Sequence, residues 1–341
     1  MFRGEPAHAG VLPGPGPGPD PERIWTFQTS GQIASSPAVN GDALFIGSFD
    51  GSLYALDAAS GERRWTFGTS DQISSSPAYA NGIVYVGGID GVFYAVDSVT
   101  GAERWRFATG DAIAASPMIA NGTVYIGSWD GGLYALDAED GAERWRYPTG
   151  AEVYATAALA DGVVYAVAVD GSFLSLDAAT GQLRWTVEIE SSVNSSPAVS
   201  GENIYLGTGG GDVVALNTAD GSERWRFTTS GAVNSSPAVV DGSVYIGSDD
   251  GGLYALDAQT GDLRWTYETG AGIFSSPVVV DSVVYVGSLD GILYAVDTRT
   301  GDLVWSVSVG AGGVYGSPAV VDGVVYVGSL DGTIVALGDP R

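Results

Sequence analysis

The chain has 341 residues, with 40 carboxylates, 14 basic residues that are all Arg, one His and no Cys, for a net charge of −26. The absence of Cys excludes disulfides and thiolate metal sites, and the absence of Lys excludes a Schiff base or a P-loop lysine. So acidic a chain disfavours nucleic acid and anionic membranes, whose binding needs cationic side chains.

Residues 1–22 hold the one His, His8. Neither a Ser-His-Asp triad nor a His-ligated zinc or iron site can therefore be built on the body that follows. The run Pro13-Gly-Pro-Gly-Pro-Gly-Pro-Asp-Pro21 has no apolar periodicity and reads as an extended or flexible spacer. The leader before it either packs on the body through Phe2 and Val11 or stays loose, as untethered termini do. It shows no basic-then-apolar segment, so an export signal is expected to be absent or already removed. No apolar run reaches the roughly 20 residues of a membrane helix.

From residue 23 onward the chain repeats. Trp stands at 25, 65, 105, 145, 185, 225, 265 and 305, a period of 40, and a Ser-Pro step recurs from Ser36-Pro37 to Ser317-Pro318. A fixed period of this size marks one supersecondary unit stacked many times. Within a unit the apolar runs are short, β-branched and aromatic, as in Val84-Tyr-Val-Gly and Val92-Phe-Tyr-Ala-Val, which predicts strands. Four fit the first unit: A over 33–39, B over 44–47, C over 53–56 and D over 63–67. Asn40-Gly41 makes the predicted A–B turn. Asp90-Gly91 and its equivalents predict two-residue B–C hairpins with positive φ at both positions. Four antiparallel strands repeated radially form a β-propeller blade.

The two ends are incomplete in complementary ways. The last A–B–C set, 316–337, lacks strand D, and the first Trp strand, 23–27, lacks the other three. The sequence therefore predicts an all-β fold: an eight-bladed β-propeller of four-stranded antiparallel blades, with the N-terminal strand completing the last blade. It forms a single domain over 23–341, after a leader and spacer of 1–22. Closure hides strand edges that an open array would expose.

Blades 1 to 3 are close copies. Blade 4 reads Tyr154-Ala-Thr-Ala-Ala and loses the Ser-Pro step, blade 5 carries Thr208-Gly-Gly-Gly-Asp212 at its hairpin, and blade 8 has one extra residue before Tyr315. Such departures are where a repeat protein places its specificity. The repeated residues read as structure instead. Each Trp packs between blades, the Asp of Leu56-Asp57 and its equivalents caps the C–D turn, and the Arg before each Trp pairs with nearby carboxylates. The hairpin residues Asp50, Asp90, Asp130, Asp170, Asp250, Asp290 and Asp331 spread around a wide ring. They read as turn residues, since calcium needs its ligands within about 2.5 Å.

Ala55-x-Asp57-x-x-Ser60-Gly61-x-x-x-Trp65 resembles the tryptophan-docking motif A-x-D-x-x-T-G-x-x-x-W of the PQQ-like propeller family. Ala95, Asp97, Thr100, Gly101 and Trp105 match it fully, as do the sets ending at Trp265 and Trp305, while blade 5 substitutes Asn217 and Asp220. Met1-Phe-Arg-Gly-Glu-Pro-Ala-His-Ala-Gly resembles the short leader that often precedes the first blade in that family. The resemblance covers nearly the whole chain and implies the propeller fold. It leaves function open among quinoprotein dehydrogenases, BamB outer-membrane assembly lipoproteins and sensor or scaffold domains, and it favours an extracytoplasmic location, periplasmic or cell-surface.

One position varies instructively around the ring. The D–A loop and the B–C hairpin of each blade lie at the same end, the top. Just after the first apolar residue of the A segment stand Ala34, Ser74, Ala114, Tyr154, Asn194, Asn234, Phe274 and Tyr315. Small residues fill one arc, and aromatic and amide residues fill the other. Tyr154, Phe274 and Tyr315 are the candidate stacking groups of a lopsided pocket, with Asn194 and Asn234 as hydrogen-bonding groups. Trp129 and Phe49, at hairpin tips, add apolar surface. The ligand is expected to be neutral or cationic, or a loop of a protein partner, because Asp turns around the rim disfavour anions.

The functional expectation is a non-catalytic binding or scaffold propeller, monomeric and without a cofactor, that engages a protein or a small ligand through its top face. One alternative is a quinoprotein dehydrogenase holding PQQ with Ca2+. The resemblance implies that such enzymes gather Asp, Glu and Asn around a metal and that the larger ones usually carry an adjacent Cys pair. Here only Glu152, Asp71, Asp111 and the two Asn residues offer anything similar. A second alternative is a recently amplified or designed repeat with no evolved ligand.

The charge generates the first prediction. With 40 carboxylates against 14 Arg, self-repulsion destabilises the compact state and salt screens it. The melting temperature is expected to rise from low ionic strength into the molar range, as in a halophilic protein. A melting temperature flat across that range leaves solubility as the only role of the charge.

Overall fold

A 40-residue unit cannot bury its own apolar surface. In blade 1, all five residues of strand B (Ala43–Gly47) and the four central residues of strand C (Ser52–Asp57) are buried. Strand D (Arg63–Gly68) alternates between exposed and half-buried positions. A sheet covered on both faces needs a neighbour on each side, so the core lies between blades. Trp25, Tyr326, Ile334 and Ala336 from one blade pack with Ile33, Leu44, Ile46 and Leu56 of the next. Phe45, Leu53 and Ile73 pack with Val84, Val86 and Tyr94 one step further round.

The computed structural model describes residues 7, 10, 12 and 14–339. They form eight four-stranded antiparallel sheets, each ordered A-B-C-D outward. The ring closes as the sequence predicts. Strands Ala319–Val321, Val324–Gly328 and Thr333–Gly338 are completed on the outside by Glu22–Gln28, with Trp25 opposite Ala336 and Phe27 opposite Ile334. Among the described residues no helix is long and apolar enough to cross a membrane.

The docking motif has a direct physical reading. The Trp25 Nε1–H donates to Ala58 O at 2.9 Å, and the same bond recurs from Trp65 to Ser98 and from Trp105 to Ala138. The indole lies on the glycine of the next blade's C–D turn. A Cβ on Gly61 would come within 2.6 Å of Trp25 Cδ2, and φ there is +73°. Asp57 Oδ1 accepts from the Ala59 and Ser60 N–H groups, while Oδ2 takes Arg64 at 2.8 Å. Those bonds, the Arg64 pairing foremost, hold the Asp57 carboxyl down at about 2.

Three predicted details differ. The A segment is strand only over Ala38–Asn40; residues 33–37 stay outside the sheet because Pro37 has no N–H and keeps Ser36 extended. The A–B turn sits one residue later than Asn40-Gly41. In blade 2 its central residues are Asn81 (φ 50°) and Gly82 (φ 79°), both left-handed, as a two-residue hairpin requires. The B–C connection is not such a hairpin. Only Gly91 has positive φ, and Gly91 N–H closes a turn on Gly88 O at 3.2 Å. Asp90 instead accepts from the Val92 and Ser70 N–H groups and from the Tyr94 hydroxyl.

Phe2 and Val11 lie outside the described residues. The leader residues that are described run along the bottom of the ring. Ala7 O accepts from Val199 N–H (2.9 Å), Gly10 O from Val279 N–H (2.8 Å) and Pro15 O from Gly323 N–H (2.9 Å). Ala7 and Leu12 also pack against inter-blade cores. Gly16 lies so close to the Tyr285 hydroxyl that any side chain would collide with it.

Docking on a bare glycine predicts an asymmetry between two left-handed glycines. A Cβ on Gly41 (φ +56°) would have nothing within 4 Å of it, so Gly41→Ala costs only backbone strain, about 1 kcal/mol. Gly61→Ala must also displace Trp25 and is expected to cost about 3 kcal/mol or more. Urea melts of the two variants compare them directly; equal losses would refute the indole-on-glycine contact as the closing interaction.

Candidate functional site

The Ser-Pro step builds the inner wall. Held out of the sheet, each Ser backbone N–H reaches sideways to the Oγ of its counterpart one blade on. Ser36 donates to Ser76 (2.9 Å), Ser76 to Ser116 (3.0 Å), Ser196 to Ser236 (2.9 Å) and Ser317 back to Ser36 (2.8 Å). Ser236, Ser276 and Thr156 make equivalent bonds. Among the described residues the one step of this belt without such a bond is Ser116 to Thr156, where blade 4 lost the Ser-Pro pair. Each serine hydroxyl accepts within the belt, which leaves its proton to donate elsewhere.

Above the belt opens a cavity of about 890 Å³ at the top of the ring. Tyr154, Asn194, Asn234, Phe274, Tyr315 and Trp129 all line it, as does Phe49. The small-residue arc is there too, through Ala34, Ser74 and Ala114. On one side Trp129 and Tyr154 lie with ring centroids 4.8 Å apart and planes at 36°. On the other, Phe274 and Tyr315 stack at 5.1 Å and 24°. Between them Asn194 Nδ2 donates to Asn234 Oδ1 at 3.1 Å. The non-repeating side chains thus occupy one opening, in two aromatic pairs flanking an amide pair.

Local charge is negative on both flanks. Burial raises the Tyr154 pKa, helped by a hydrogen bond with Glu152 and the nearby charges of Glu152 and Asp111. Desolvation followed by the field of Asp249 raises that of Tyr315. Asp249 is the residue that sequence reasoning missed. It accepts from Asn234 Nδ2 at 3.2 Å, while its Oδ1 is shut off from solvent without a partner. The signal was available at the hairpin tip, where the 40-residue register aligns Phe49, Ile89, Trp129, Val169, Gly209, Asp249, Leu289 and Leu330. A carboxylate there is as anomalous as the aromatics on the inner loop. By contrast, the hairpin carboxylates are held as turn residues: Asp50 takes the Ser30 and Ser52 N–H groups and the Tyr54 hydroxyl.

The lining offers rings, amides and hydroxyls but no Arg, and among the described residues no group of three His, Cys, Asp or Glu is placed to hold a metal ion. A quinone tricarboxylate with calcium needs cationic partners for the one and clustered oxygen anions for the other. This donor set does not fit that pair.

Architecture and docking motif together define a PQQ-like β-propeller. The chain belongs to the family described as outer membrane protein assembly factor BamB, whose profile matches residues 19–115, 90–231, 175–311 and 269–339. No curated protein matches the sequence. Among solved structures it is similar to the computationally designed Ika8 protein, with a TM-score of 0.83 and 20% identity over 92% of this chain and 98% of that one. BamB from Moraxella catarrhalis gives 0.79 and 20%, over 94% and 100%. The quinohemoprotein alcohol dehydrogenase from Comamonas testosteroni gives 0.79 and 17%, over 94% and 77%. At these identities the likeness is one of fold.

The half-buried carboxylate gives this site its own prediction. Desolvation raises the Asp249 pKa above the usual 3.8, against the opposing bond from Asn234. A carboxyl whose folded pKa is raised destabilises the fold above that value, and the penalty fades as pH falls through it. Asp249→Asn is therefore expected to stabilise the protein by about 1 kcal/mol near neutral pH, the gain vanishing below about pH 4. Melting curves across pH read this; a variant no more stable than wild type at neutral pH would refute the uncompensated charge.

Proposed function

We propose that this propeller is a non-catalytic binding module whose top cavity takes a small neutral or cationic ligand, or a protruding side chain of a protein partner. One observation carries the reading: the residues that break the repeat converge on a single opening. The departures at Tyr154, Asn194, Asn234, Phe274 and Tyr315, at one position of the repeat, all line the same 890 Å³ space. That volume suits a small organic molecule, and rings with a few convergent polar groups are how such sites are lined. The family's name refers to outer-membrane assembly, which supports a scaffold role outside the cytoplasm. The dehydrogenase reading has the fold in its favour but lacks a matching donor set in the cavity.

A ligand-observed fluorine NMR screen of a fixed library of neutral, cationic and anionic fragments tests the proposal. Neutral and cationic fragments are expected to bind, and their binding to fall at least tenfold in Phe274→Ala/Tyr315→Ala. Hits unaffected by that variant, or no hits at all, would overturn the cavity as the functional site. Dye reduction by the protein loaded with pyrroloquinoline quinone and calcium would overturn the non-catalytic reading.

A further inference from the structure

Asp249 and its neighbour Asp250 are adjacent carboxylates with opposite roles. Asp250 accepts from the Ser230 N–H at 2.8 Å, the Gly252 N–H at 2.9 Å and the Tyr254 hydroxyl at 2.8 Å, which accounts for it as a turn cap. Asp249 has one bond, from Asn234 Nδ2 at 3.2 Å, and a shielded Oδ1 with none. It caps nothing, and the equivalent residue in blade 7 is Leu289. Structure alone therefore does not account for a charge here.

Its effect on the cavity follows from donor and acceptor chemistry. A carboxylate only accepts, so Asn234 turns its amide nitrogen toward Asp249 and its Oδ1 the other way. That Oδ1 accepts from Asn194 Nδ2 at 3.1 Å, which fixes the second amide as well. Asn194, exposed in the cavity wall, is left with Oδ1 at the outer end of the relay. A chain of hydrogen bonds running toward a negative charge polarises its members and strengthens the terminal acceptor. One blade on from this acceptor, on the side away from Asn234, stands Tyr154, paired with Trp129 and engaged by the Glu152 carboxylate; the stacked Phe274 and Tyr315 lie on the far side of Asn234.

We propose that the cavity binds an organic ammonium ion, with its N–H groups on Asn194 Oδ1, its apolar body against Trp129 and Tyr154, and the half-buried Asp249 as counter-charge. The assignment rests on the reading of the top cavity as the binding site and adds the ligand's chemical class. Asp249 acts through the wall: its Oδ1 is sheathed, so its charge reaches the ligand by the amide relay and by its field. Aromatic faces add a cation–π contribution. A net charge of −26 raises the local concentration of cations at the mouth. A carboxylate or phosphate ligand would meet an acceptor, two acidic flanks and no Arg.

Isothermal titration calorimetry of the full chain with three shape-matched compounds tests this: benzylammonium, benzyl alcohol and benzoate. Benzylammonium is expected to bind at least tenfold more tightly than benzyl alcohol, and benzoate not to bind. In Asp249→Asn the new amide can donate, Asn234 is free to reverse, and Asn194 can then present nitrogen. The preference for benzylammonium over benzyl alcohol is expected to collapse to within about twofold, while benzyl alcohol itself binds as before. Asp302→Asn, on a bottom-face turn, removes the same charge from the molecule and is expected to keep the preference; melting curves confirm that both variants fold. Equal affinities in the wild type, or a preference that survives Asp249→Asn, would overturn the ammonium assignment. If benzyl alcohol binds as tightly as benzylammonium and both are lost in Tyr154→Ala, the cavity stands and only the ligand class falls. If none of the three binds, the ammonium assignment falls, and the fragment screen decides the cavity.

Discussion

An indole lying on a glycine of the next blade is the contact on which this ring depends. No blade holds a core of its own, since strands B and C are covered on both faces by neighbours. Trp25 against Gly61, Trp65 against Gly101 and Trp105 against Gly141 set the distance and tilt between sheets, and the Nε1–H bond to the carbonyl after the turn Asp fixes each ring's rotation. Because each blade must both present the indole and receive one, the motif cannot drift in one copy without affecting two interfaces. The last interface joins the two ends of the chain: Trp25, from the N-terminal strand, docks on blade 1 while its own strand completes blade 8. The ring therefore closes by the same contact that spaces it.

The serine belt is the inner counterpart of that outer constraint. It withdraws residues 33–37 from the sheet and makes each inner segment bond sideways, so the wall of the channel is a hydrogen-bonded hoop with a single gap. The loops above it are then free to vary without disturbing the blades. Blade 4 shows the coupling between hoop and cavity. Where Thr156 replaces the Ser-Pro serine, the belt lacks its link from Ser116, and directly above stand Trp129 and Tyr154, one aromatic pair of the cavity. The departure from the repeat and the break in the hoop occur at the same place.

How much of this was legible depends on whether the determinant was periodic. Fold, blade number and closure follow from Trp spacing and from what each end lacks, because inter-blade packing repeats with the sequence. The lining residues from Tyr154 to Tyr315 were legible once the copies were aligned on one loop. What escaped was lateral. The Asp-Gly pair resembles a two-residue hairpin, but its carboxylate is taken up by the Ser70 N–H twenty residues away and by the Tyr94 hydroxyl, which leaves a longer turn with only Gly91 left-handed. The A segment looks like a full strand until Ser36 N–H is given its partner in the next blade. Asp249 sits on a second loop, and its relation to Asn234 and Asn194 exists only when that hairpin meets the inner segments of two blades.

Unsatisfied polar groups occur both inside the blades and at the cavity wall. Five buried side-chain polar atoms lack partners among the described residues, on Ser74, Trp129, Ser175, Asn203 and Asp249. Ser74 and Trp129 line the top cavity, and Asp249 bonds to a lining amide. Each such orphan costs about 1–3 kcal/mol, and the repeat itself supplies a remedy at the same register: Ala34 or Ala114 for Ser74, Phe49 for Trp129, Leu289 for Asp249. The orphans on Ser74, Trp129 and Asp249 sit in or behind the wall of one opening but are shut off from solvent, so any influence they have on that opening passes through the groups they touch, as from Asp249 through Asn234.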